Sequence, residues 1–76
     1  MKSYVLKINY LDGSGTVHYA VINPGLEDSF SPRATRNPNA DRTYATRLTL
    51  EQAEKWRPTI YGGQRKVSIS VKIEEA

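Results

Sequence analysis

Hydrophobic and polar positions alternate almost from the start of the chain. In SYVLKINY, residues 3 to 10, Tyr4, Leu6, Ile8 and Tyr10 fall on one side and Val5, Lys7 and Asn9 on the other, the period of two expected of a half-buried strand. Asp12-Gly13 follows, a hairpin-turn pair because glycine tolerates the positive φ such turns require. TVHYAVI then predicts a second strand with Val17, Tyr19 and Val21 as its inward set and His18, Ala20 and Ile22 on the other face. Residues 3 to 22 therefore read as a β-hairpin.

Beyond Ile22 the pattern breaks. Asn23-Pro24-Gly25 stops the strand, since Pro24 has no backbone donor, and from there to about Arg42 neither period two nor period 3.6 holds. Three of the four prolines, at 24, 32 and 38, lie in this loop, and structureless connections longer than about 12–15 residues are uncommon in compact domains unless functional or disordered. TYATRL restores alternation, with Tyr44, Thr46 and Leu48 opposite Thr43, Ala45 and Arg47, and predicts a third strand. Thr49 and Gln52 have the spacing of a capping box, and LEQAEKW predicts a short helix whose apolar stripe is Leu50, Ala53 and Trp56, with Glu51 and Lys55 paired outside. Pro58 is expected to end that helix near Trp56. After a turn at YGGQ, RKVSISVKIEE predicts the last strand, with Val67, Ile69, Val71 and Ile73 inward and Lys66, Ser68, Ser70, Lys72 and Glu74 outward.

The order is β-β-loop-β-α-β, which implies an α+β domain: a four-stranded antiparallel sheet with the single helix on one face. Trp56 reads as core on that helix, a partner-binding anchor being the competing assignment. The 76 residues suit one domain near the lower limit for burying a core unaided.

Composition narrows the chemistry. With no cysteine the chain has no thiol nucleophile, disulfide or thiolate metal site, and suits a reducing cytoplasm. The first ten residues hold no continuous apolar run, and no stretch is long enough to span a bilayer, so no membrane association is expected. His18 is the single histidine and has no evident partner in the sequence; Glu27 and Asp28 are adjacent and diverge in most backbone conformations. DGSGT lacks the Gly-Lys-Ser/Thr ending of a phosphate loop and leads into a strand. No catalytic set, metal site or cofactor is expected.

Net charge is +3, and its placement matters more than its size. Residues 29 to 47 hold Arg33, Arg36, Arg42 and Arg47 against Asp41 alone, while the remainder carries seven basic and seven acidic residues. All four cations are arginine, whose planar fork grips carboxylate and phosphate bidentately. Three readings compete: a solvated insertion, tolerated because loop length costs little closure entropy; a nucleic-acid contact, with Tyr44 and Phe30 as stacking surfaces; and a docking surface for a protein. Phe30, the only phenylalanine, either anchors a partner or folds back to plug the sheet. The open edges of a small sheet offer a further route, pairing with a strand of a second copy.

The hairpin opening YVLKI, the helix TLEQAEKW and the alternating strand ending in glutamates resemble, in style, the small accessory proteins encoded by bacteriophages, among them anti-defence proteins such as anti-CRISPRs and inhibitors of host polymerases. The resemblance includes no diagnostic motif and transfers no functional residue. It implies a non-enzymatic protein that inhibits or modulates a larger host protein or nucleoprotein complex by binding it. The expected contact residues are Phe30, Arg33, Arg36, Arg42, Tyr44 and Arg47, with direct nucleic-acid binding by the same loop, or self-assembly, as alternatives.

Overall fold

A computed structural model describes residues 2–63 and 68–76. Among them, three strands form one antiparallel sheet in the order β2-β1-β3, where β1 is Tyr4–Tyr10, β2 Val17–Tyr19 and β3 Ile69–Glu75. A helix, α1, Leu50–Gly63, covers one face, and two 3₁₀ turns, Pro32–Ala34 and Arg42–Tyr44, punctuate the long connection. The α+β class and the helix-on-sheet layering follow the hydrophobic pattern. Gln64, the last residue of the predicted YGGQ turn, and Arg65, Lys66 and Val67 of the predicted strand lie outside the described residues, whereas Tyr61–Gly63 of that turn belong to α1.

The hairpin forms where expected, with Gly13 and Gly15 at φ of 86° and 70° allowing the chain to reverse. Its parity is the reverse of the predicted one. Ile8 pairs with His18, so even-numbered residues of β2 share the core side with Leu6 and Ile8. Ala20 and Ile22 are accordingly buried, whereas Val17, Tyr19 and Val21 are only partly covered. Register, fixed by pairing with β1, outweighed the more hydrophobic odd-numbered set.

TYATRL is not a strand. The Asp41 carboxylate accepts from the backbone N–H and the hydroxyl of Thr43, at 2.9 and 2.8 Å, and this side-chain competition winds Arg42–Tyr44 into a 3₁₀ turn. The following residues fill a fork between β1 and the continuation of β2. Thr46 N–H donates to the Ala20 carbonyl, Leu48 and Tyr4 exchange two backbone bonds, and the Thr46 hydroxyl accepts from Ile22 N–H and donates to the Ile22 carbonyl. One threonine side chain thus closes backbone groups that a fourth strand would have paired. Ala45 and Leu48 are the buried residues here, where Tyr44, Thr46 and Leu48 were expected on one face.

Residues 34 to 39 line the outer edge of β2 in the same piecemeal way. Asn23 N–H bonds the Ala34 carbonyl, Arg36 N–H bonds Val21, and Tyr19 and Asn39 bond each other twice. The long connection is an edge cover for β2, whose outer edge would otherwise invite pairing.

The capping box forms as the spacing requires: Thr49 N–H donates to Gln52 Oε1 at 3.0 Å and Gln52 N–H to Thr49 Oγ1 at 3.1 Å. The Lys55–Glu51 pair also forms, at 3.3 Å. The helix does not stop near Trp56 but runs through Pro58 to Gly63. Proline inside a helix costs about 3 kcal/mol, and burial of Ile60, on the same stripe as Ala53 and Trp56, returns about 1.5–3 kcal/mol. Leu50, expected in that stripe, lies at its exposed end.

Trp56 is completely buried, with its indole N–H donating to the Glu27 carbonyl. Phe30 adopts φ of 50°, unusual for a bulky residue, and lays its ring 5.7 Å from that of Trp56 with Lys55 Nζ 5.3 Å above it. Trp56→Ala is expected to lose about 3–5 kcal/mol, close to the whole stability of a small domain, and a chemical-denaturation midpoint near that of the parent would refute the packing. Thr46→Val should leave both Ile22 backbone groups unmet and lose about 1–3 kcal/mol, read as a lower melting temperature with the fold retained.

Candidate functional site

The structure separates the residues that charge and composition placed together. Arg36 and Tyr44 line a broad open groove of about 950 Å³ with Asn37, Pro38, Asn39 and Thr46. Arg42 and Arg47 line a separate small cleft of about 160 Å³ with Val5 and Ala45. Arg33 is exposed on the first 3₁₀ turn and meets neither group. Phe30 is partly buried against the core, the second of the two roles open to it.

Local chemistry builds the groove. Pro38 and the edge pairing of Asn39 with Tyr19 hold the 36–39 segment extended beside β2. Arg36 Nε donates to Asn23 Oδ1 at 2.7 Å, which tethers the guanidinium at the groove. The Asp41-capped turn adds Tyr44, which is 64% exposed, to the same groove. No lining residue is acidic. The groove therefore offers a fixed cation, an aromatic face and side-chain amides to an incoming chain.

Arg42 is already engaged: its guanidinium reaches the Glu75 carbonyl and stands 3.9 Å from Glu74. Glu74 also meets Lys7 at 3.4 Å. His18 does have a partner, its Nδ1 lying 3.3 Å from the Tyr10 hydroxyl with the rings edge to face. Among the described residues no three His, Asp or Glu side chains converge as a metal site, and no helix is long and apolar enough to cross a membrane.

Sequence reasoning missed Asn37, Pro38, Asn39 and Thr46. The Asn-Pro-Asn run carried one usable signal, since proline confines extended chain to a sheet edge. Nothing local marked Thr46. Compared with known proteins, the chain matches no family, no curated protein and no solved structure.

The groove wall depends on one carboxylate. Thr43, through its backbone N–H and then its hydroxyl, holds the Asp41 carboxyl below its usual value of 3.8. A depressed folded-state pKa means that the stabilisation is complete above the unfolded value and is lost as pH falls through the folded one. Asp41→Ala should lower the melting temperature at neutral pH, and the gap from the parent should close as pH is lowered through the acid range; a constant gap would contradict the charged cap.

Proposed function

We propose that this chain is a non-enzymatic binding module that docks on a larger protein, alone or within a nucleoprotein complex, through the groove between Arg36 and Tyr44. The observation that carries the proposal is that a tethered Arg36 guanidinium and an exposed Tyr44 line one groove without acidic residues. Arg and Tyr are enriched at the centres of protein interfaces and dominate their binding energy. The complement of this groove is an extended partner segment with a carboxylate for Arg36 and an apolar side chain for the Tyr44 ring. The same reading fits the likeness to phage accessory proteins, in which a stoichiometric inhibitor or modulator of a host protein is the expected role. Phe30, spent on the core, is not an anchor in this scheme.

The test is capture of partners from bacterial lysate by the intact protein and by its Arg36→Ser and Tyr44→Ala variants, each with and without nuclease. A partner retained after nuclease and lost from both variants is the expected result. Each substitution should weaken binding by about 2 kcal/mol, roughly 30-fold, without altering thermal unfolding. A partner that binds both variants normally overturns the groove assignment, and signal that vanishes with nuclease favours the nucleic-acid alternative.

A further inference from the structure

The face of the sheet away from the helix carries an arrangement that the docking groove does not use. Lys7 of β1 pairs directly with Lys72 of β3, and on its other side with Tyr19 of β2, so the three side chains form one row across the solvent face. The next row is Val17, Asn9 and Ser70. Neighbouring strands lie about 4.8 Å apart, and like charges directly opposite in an antiparallel pair destabilise it. Lys7 has Glu74 for a counter-ion, but Lys72 has none among the described residues. The two arginines displaced from the groove, Arg42 and Arg47, border the same face through the cleft at Val5. Lys7, Lys72, Arg42 and Arg47 against Glu74 leave a surplus of three positive charges, equal to the net charge of the whole chain.

We infer that this face binds single-stranded nucleic acid. The surplus charge supplies the complement for a phosphate backbone, whose neutralisation drives such binding by releasing counterions. Tyr19, in register with Lys7, supplies a ring for an unpaired base, the combination of cationic track and aromatic platform that single strands use. An acidic protein is the poorer occupant, because lysine is depleted at protein interfaces and no large exposed apolar side chain stands in the rows around Lys7. The inference involves residues other than Arg36 and Tyr44 of the groove, whose margin meets this face where Asn39 pairs with Tyr19.

The experiment is fluorescence anisotropy of labelled single-stranded DNA and RNA oligonucleotides, titrated with the intact protein across a series of salt concentrations, with a duplex as comparison. Single strands should bind with affinity falling as salt rises. Lys7→Gln with Lys72→Gln should weaken binding about tenfold and reduce the log–log salt slope by roughly 0.7 per lysine. Tyr19→Leu, which keeps the bulk and removes the aromatic ring, should lose about fivefold or more. Arg36→Ser and Tyr44→Ala should bind oligonucleotide as the parent does. Lys72→Gln alone should raise the melting temperature while weakening binding, since it relieves the like-charge pair; a residue with a purely structural role would not separate the two. No binding at low salt, binding indifferent to the lysine substitutions, or tighter binding of the duplex would overturn the inference.

Discussion

The buried indole of Trp56 is the contact on which the rest of this small domain depends. Its ring joins α1 to Leu6, Ile8 and Val71 of the sheet in one core, and its single polar atom donates to the Glu27 carbonyl at the start of the long connection. Without that bond a carbonyl of the loop would be left facing a hydrophobic core, at a cost of about 1–3 kcal/mol. Phe30 packs against the same ring, and the Asp28 carboxylate accepts from Gln52 Nε2 at 2.9 Å. One side chain therefore ties sheet, helix and loop together.

Once its first residues are pinned to the helix, the connection has a structural task for the remainder of its length. It runs beside β2, closes that edge with backbone bonds, turns at Asp41 and returns into the fork between β1 and β2. A chain this short cannot spare many residues for a separate cover, since so much of its surface remains exposed on folding. The same residues that seal the edge thereby display Arg36 and Tyr44, so the proposed binding surface and the edge protection are the same piece of backbone.

Two surfaces of different chemistry result. The groove carries arginine, tyrosine, asparagine and proline on an irregular backbone, a composition suited to a protein segment. The sheet face carries lysines in register with a tyrosine, suited to a phosphate chain. The segment from Arg42 to Arg47 contributes to both: Tyr44 and Thr46 line the groove, and Arg42, Thr43, Ala45 and Arg47 line the cleft.

Much of this was written locally in the sequence. The inward set of β1, the Asp12-Gly13 turn, the Thr49–Gln52 capping box, the Glu51–Lys55 pair and the alternation of Ile69, Val71 and Ile73 rest on contacts within a few residues or on simple periodicity, and short-range chemistry determined them. The parity of β2 was decided by its register against β1, the continuation of α1 through Pro58 by the burial of Ile60, and the loss of the TYATRL strand by an aspartate cap together with a threonine bonded 24 residues away. The charge surplus shows the division best. Composition located it in one stretch of chain, yet strand pairing and the fork moved half of those arginines to the face that bears Lys7 and Lys72. The sequence alone determined which local elements form and which charges the protein carries; the tertiary structure decided which of those charges meet, because pairing and core burial act between residues that are distant along the chain.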